Sequence, residues 1–312
     1  MKDSVRQLVR EGRLELLNAG WSMQDEACVY YEDMINNMMI GHQFVLEEFG
    51  VKPRVGWHID PFGHSNANQR LFAEMGFDAF FFARLDYQDK EKRLQDKTME
   101  FVWRPMFDSL GESAQIFGHA LYHHYSAPPG FDFDTLSGDD PFIDDKRLTT
   151  FNADDKAAKF HEWVLEQREH YTSNNIIITM GDDFRFQNAR QYFKSSKALI
   201  DYYNEHIGKY ANVELIFSTP SMYVDAVNAE GLTYTTKYDD MFPYADNDLS
   251  YWTGFYTSRA NDKEYIRRAE HTLMASNKLF ALNSLSSELL PTDFADLAVT
   301  TKDAMMDVIG VT

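Results

Sequence analysis

Cysteine is almost absent from this chain: Cys28 is the only one in 312 residues, so no internal disulfide forms. It falls among helical apolar residues, where a buried, unreactive thiol is expected. No Asn-x-Ser/Thr sequon occurs, which leaves no acceptor for N-linked sugar. Positive charge is scarce: 30 Lys and Arg face 49 Asp and Glu, for a net charge of −19. That balance disfavours nucleic acid and anionic membranes as partners and fits a neutral ligand or an acidic compartment. No apolar run reaches the roughly 18 residues of a membrane span, and Met1-Lys2-Asp3-Ser4 begins no signal peptide. Repeats, Gly/Ser linkers and low-complexity tracts are missing as well. What is present, 44% hydrophobic and 25% charged residues, reads as a soluble globular chain of one large domain or one large and one smaller.

Periodicity supplies an α/β pattern. Val5, Leu8, Val9, Leu14, Leu16 and Leu17 predict a helix over 3–18, broken at Gly20. Tyr30, Met34, Met38, Phe44, Val45 and Phe49 recur at helical spacing over 26–49, with Asp25 as the simplest cap and Trp21, Asp25 and Glu26 in the turn before it. Short strands are expected at 55–60, 79–83, 100–104, 115–118, 175–180 and 213–217, alternating with helices at 66–75, 153–170 and 187–206. Pro220 suits the first position of a further helix. Residues 122–150 and 238–259 are long, irregular, aromatic and acidic, which usually marks functional or mobile loops. From Asp262 the pattern turns purely helical, over 262–282 and about 292–307.

The most informative stretch is Arg54-Val55-Gly56-Trp57-His58-Ile59-Asp60-Pro61-Phe62-Gly63-His64-Ser65. Strand alternation stops at Pro61, so Asp60 stands at a strand's C-terminal end, the edge where α/β folds bind ligands. Asp60 is either a cap for the next helix, which Ser65 or Asn66 can also cap, or a nucleophile or metal ligand. His58, Asp60 and His64 place three donors within seven residues, a set that suits Zn²⁺. The 79–83 strand delivers Arg84, Asp86 and Tyr87 to the same edge. The 175–180 strand delivers Asp182 and Asp183 beside Gly181, where one acid can be structural and the other chemical. His119, His123 and His124 form a further candidate metal cluster. Tyr251, Trp252 and Tyr256 suit either sugar stacking or domain packing.

Gly56-Trp57-x-Ile59-Asp60-Pro61-Phe62-Gly63-His64-Ser65 resembles the nucleophile motif of the α-mannosidases of glycoside hydrolase family 38. Collinear blocks agree: Gly20-Trp21-Ser22-Met23-x-Asp25-Glu26-Ala27, Arg84-Leu85-Asp86-Tyr87-Gln88-Asp89-Lys90, Met180-Gly181-Asp182-Asp183-Phe184-Arg185, Ser218-Thr219-Pro220, Phe242-Pro243-Tyr244-Ala245-Asp246 and Trp252-Thr253-Gly254-Phe255-Tyr256-Thr257-Ser258-Arg259. They are most similar to the lysosomal or acidic branch.

The resemblance implies an irregular seven-stranded, mainly parallel α/β barrel over 1–258, its N-terminal part missing, and the start of a three-helix bundle over 259–312. It implies a retaining α-mannosidase that removes terminal α-linked mannose from N-glycan-type oligosaccharides in the lysosome or vacuole. Asp60 would be nucleophile and Zn²⁺ ligand, Asp183 the acid/base. Phe62 would lie against the mannose ring, Arg84 beside the nucleophile, and Tyr125 on the sugar. The family's other zinc ligands lie in a His-x-Asp-x-Gly-Trp and a His-His-Asp stretch, neither found in these 312 residues. A truncated remnant with weak or no sugar binding is therefore the alternative. A metal-dependent carbohydrate deacetylase, hinted at only by residues 58–64, would need a complete His/Asp set. The missing signal peptide, sequons and disulfides also depart from secreted relatives.

Overall fold

The structure, a computed structural model, describes residues 2–135 and 137–285. Helix α1 (Lys2–Arg10) is followed by α2 (Tyr31–Phe49), β1 (Val55–His58), α3 (Asn66–Glu74), β2 (Ala79–Phe82), α4 (Tyr87–Asp96), β3 (Glu100–Trp103), α5 (Phe107–Leu110) and β4 (Ile116–Ala120). Then come α6 (Ala153–Arg168), α7 (Ala189–Glu205), α8 (Pro220–Ala229), β5 (Thr235–Lys237), β6 (Ala245–Asn247), β7 (Ser250–Tyr251) and α9 (Ala260–Leu285). The helix near 292–307 and most of the expected bundle lie outside the described residues.

Five strands form one sheet in the order β1-β2-β4-β3-β5, and β6 and β7 form a separate hairpin. Three of the four pairings are parallel; β3 runs antiparallel to β4. The chain is thus α/β with a mainly parallel sheet, and the C-terminal ends of β1, β2 and β4 share one edge. β2 lies between two neighbours and is buried on both faces, as a covered parallel strand requires. Phe80 and Phe82 pack with Phe72, Phe101 and Trp103 on one face. Ala79, Phe81 and Ala83 meet Tyr223, Val224 and Val227 of α8 on the other.

Several elements differ from expectation for local reasons. α1 ends at Arg10 because Gly12 turns left-handed, at φ +68°. α2 starts at Tyr31, not 26: Asp25 Oδ2 accepts from Cys28 N at 2.7 Å, closing a turn ahead of the helix instead of capping it. Cys28 itself is only half-buried. Residues 175–180 and 213–217 are extended but belong to no ladder. Side chains satisfy part of their backbone: Gln167 donates to Ile177 O, and Asn204 bonds both N and O of Leu215. The 122–150 segment is irregular but packed. Its alternating pattern buries Phe131 and Phe133 against α6 and α7, while Asp132 pairs with Arg185. No helix among the described residues is long and apolar enough to cross a membrane.

α9 rests on α2. Asn36 Nδ2 donates to Glu270 Oε1 at 3.3 Å, yet Asp33 Oδ1 and Glu270 Oε2 are buried without hydrogen-bond partners among the described residues. Burial and the Glu32 charge push the Asp33 carboxyl up to about 6, against the pull of His271 and Arg267. Burial, Asp33 and Glu32 push Glu270 to about 7, with Lys278 opposing. Both folded values exceed the ordinary 3.8 and 4.5, so the folded chain binds these protons more tightly than the unfolded one and loses stability as pH rises through that range. Urea-unfolding stability is expected to fall between pH 5 and pH 8, and Glu270→Gln to remove much of that fall. A pH-independent difference between the two proteins would contradict this.

Candidate active site

The loop after β1 carries Asp60 two residues beyond the strand, and Arg84 stands two residues beyond β2. His58 pairs with Phe82 in the parallel register, so Asp60 and Arg84 are level. Arg84 Nη2 and Nε both donate to Asp60 Oδ1, at 2.6 and 3.0 Å. The guanidinium is nearly enclosed, its side chain 11% exposed, whereas that of Asp60 is 56% exposed. Four rings surround Arg84 Cζ: Trp252 at 4.7 Å, Phe62 at 5.3 Å, Tyr244 at 5.8 Å and Tyr125 at 5.9 Å. Burial pulls the Arg84 pKa down, but the bonds to Asp60 and Tyr244 outweigh it. An enclosed cation with one carboxylate oxygen in its grip fixes the orientation of that carboxylate.

Tyr125 follows β4 and reaches the same edge. Ala127 N donates to Gly181 O at 2.9 Å, and Thr179 Oγ1 to Ser126 O at 2.8 Å, which fastens the 179–183 segment beside it. Burial and the charges of Asp60 and Asp183 together raise the Tyr125 phenol pKa. The neighbouring acids divide their work. Asp182 Oδ1 accepts from Asp183 N at 2.7 Å. Burial would raise the Asp182 carboxyl, but Ser126, that amide and Arg185 hold it low. Asp183 is exposed. Arg185 bonds Asp183 O at 3.0 Å and the Asp132 carboxylate. Asp86 caps α4, accepting from Gln88 N and Asp89 N. Trp252 is drawn onto Arg84 and Phe62, while Tyr251 stays exposed on its hairpin.

The histidines sort differently from the sequence expectation. His58 and His64 do not gather around Asp60. They turn into the core and donate Nδ1–H to one oxygen of Glu26, at 2.7 and 2.8 Å. Glu26 Oε2 accepts from Ser65 N at 2.8 Å and from Gln69 Nε2 at 3.3 Å. His58 packs on Phe72 and Phe80, His64 on Phe80 and Phe82. The donor atoms of Glu26, His58 and His64 lie within 4.8 Å of one another, a buried set that could hold a metal ion. As they stand the spacings are those of hydrogen bonds; two ligands of one tetrahedral Zn²⁺ would sit about 3.3 Å apart. His119 is likewise committed elsewhere, donating to Glu100 Oε1 at 3.0 Å. Burial, Arg84 and Lys90 drop His124 to about 4.

The family model for the Glycosyl hydrolases family 38 N-terminal domain matches residues 1–247. This chain belongs to glycosyl hydrolase family 38. It is 44% identical over 311 residues to the lysosomal alpha-mannosidase of Dictyostelium discoideum, covering all of this chain and 30% of that protein. It is 45% identical over 259 residues to an alpha-mannosidase of Canavalia ensiformis, covering 83% of this chain and 26% of that one. The chain thus spans under a third of the length of these relatives. The crystal structure of an alpha-mannosidase from Enterococcus faecalis superposes with a TM-score of 0.55 at 19% identity, covering 77% of this chain and 23% of that chain, which supports the fold.

Burial alone would raise the Glu26 carboxyl, but His64 and His58 hold it down to about 2 against an ordinary 4.5. A depressed carboxylate stabilises the fold above its unfolded value and loses that contribution as pH falls toward the folded one. Glu26→Ala strands two imidazoles and a backbone amide, and is expected to cost about 3–5 kcal/mol at pH 7. The gap from wild type should narrow between pH 4.5 and pH 2. Chemical unfolding across that range checks it; a gap that widens as pH falls would refute the ionised assignment.

Proposed function

We propose that this family 38 chain carries the nucleophile and the acid/base of a retaining α-mannosidase acting on terminal α-linked mannose of N-glycan-type oligosaccharides. The observation that carries the proposal is the half-exposed Asp60 carboxylate held through Oδ1 by the enclosed Arg84 guanidinium. Oδ2 accepts no hydrogen bond among the described residues and is the oxygen free to attack. In this reading Oδ2 bonds to the anomeric carbon as the bond to the leaving oxygen breaks, and Asp183 supplies the proton that oxygen needs. Water then adds at the anomeric carbon, Asp183 takes its proton, and the bond to Asp60 breaks. Retention requires carboxylates about 5–5.5 Å apart. Phe62 and Tyr125, packed about Arg84, would meet the sugar.

The finer architecture belongs to the same proposal: a seven-stranded barrel over 1–258 and a three-helix bundle beginning at 259, in a protein of the lysosome or vacuole. Asp60 is the proposed Zn²⁺ ligand of this chain. The described residues do not complete a zinc site there, since the one group of three donors among them is Glu26, His58 and His64. That same observation favours the second reading, a remnant that binds sugar weakly or not at all and does not turn it over.

Assay of the chain with p-nitrophenyl α-mannoside over pH 4–7, with and without Zn²⁺, separates them. Release that falls at least 10³-fold in Asp60→Asn supports catalysis. Asp183→Asn should lose about 10²–10⁴-fold on an alkyl mannoside and much less on the nitrophenyl substrate, whose leaving group needs little protonation. Activity that survives Asp60→Asn would overturn the assignment. A folded chain that never releases product would favour the remnant.

A further inference from the structure

We propose that Glu26 is a positioning residue for Asp60: its buried carboxylate ties both ends of the loop that carries the nucleophile. The inference rests on the assignment of Asp60 above. The loop leaves the sheet at His58 and re-enters regular structure at Ser65, the N-cap of α3. Glu26 holds both ends with a single side chain. Oε1 takes the His58 imidazole at the exit and the His64 imidazole at the re-entry. Oε2 takes the Ser65 backbone amide and reaches Gln69, one turn into α3.

Asp60, Pro61 and Phe62 lie between these two anchors, so the carboxylate spans the base of the loop. Both imidazoles and the carboxylate are fully buried, with side-chain exposures of 0%. The Phe72, Phe80 and Phe82 rings line them. Water does not replace a lost partner in such surroundings, and a change at Glu26 must appear as movement of what it holds. The re-entry end of the loop is pinned a second time, by residues 241 and 242. His64 N and O pair with Met241 O and N. A Cβ on Gly63, at φ +108°, would stand 2.4 Å from the Phe242 ring. With residues 63 and 64 held there, slack at Glu26 is transmitted to residues 59–62.

Glu26→Gln keeps the shape but turns an acceptor oxygen into an NH₂ that faces the donors Ser65 N and Gln69 Nε2. His64→Gln, a milder change, keeps a side-chain donor with a different reach. With aryl mannoside as substrate, the expected result for folded Glu26→Gln is a kcat at least tenfold lower with KM within threefold of wild type, and a smaller fall of the same kind in His64→Gln. A purely structural role would lower the melting temperature and leave kcat per folded molecule unchanged, which would overturn the proposal. If Glu26→Gln does not fold, His64→Gln decides by the same criterion.

An NMR arm does not need turnover. Wild type should show two slowly exchanging low-field imidazole Nδ1–H signals, absent or moved in Glu26→Gln together with the ¹³Cγ signal of Asp60. If wild type proves inactive, the reading of Asp60 as nucleophile fails, and this arm alone judges the tether. An Asp60 signal that stays put when the imidazole signals are lost would refute it.

Discussion

The parallel register of β1 on β2 is the constraint on which the site depends. His58 opposite Phe82 sets Asp60 level with Arg84, each two residues past its strand. A slip of one residue would send every β2 side chain to the other face, carrying Phe80 and Phe82 out of their core and Arg84 away from the carboxylate. Register is specified strongly here because both faces of β2 are packed and residues 79–82 are fully buried. The hydrophobic core and the Arg84–Asp60 pair are therefore two consequences of one alignment.

Charge is handled in two ways around that alignment. At the rim, the Arg84 cation is removed from water by four aromatic rings and neutralised by a carboxylate that stays half in solvent, leaving one oxygen available for reaction. In the core, the Glu26 anion is removed completely and satisfied by four donors. An exposed carboxylate can change partners during a reaction, whereas a fully bonded buried one cannot move without breaking several bonds. The two acids at 182 and 183 repeat this division on a smaller scale, with Asp182 committed to the local backbone and Asp183 turned outward.

Features with a local physical signature were legible in the sequence. The 55–58 strand shows its alternation and the 79–82 strand its continuous apolar run, Ser65 caps α3, and Pro220 opens α8 behind the Thr219 cap. The family and the Asp60–Arg84 neighbourhood were readable from the collinear motifs. Glu26 was not, because its partners lie 32 and 38 residues away, and an acid in a turn between helices looks like a surface residue. Spacing placed His58 and His64 with Asp60, but β1 ends at His58, whose ring faces the core, and strand alternation does not govern Asp60 and His64 in the loop beyond it. Residues 175–180 and 213–217 read as strands from composition, yet a ladder needs a neighbour at hydrogen-bonding distance, and side chains hold these segments instead.

Covalent trapping tests the central claim most directly. The chain would be treated with a 5-fluoro mannosyl fluoride, a substrate analogue that forms the glycosyl-enzyme and releases it slowly, then digested and sequenced by mass spectrometry. A mannosyl adduct on Asp60, absent from Asp60→Asn, is the predicted result. An adduct on any other carboxylate, or steady turnover with no adduct at all, would contradict the account.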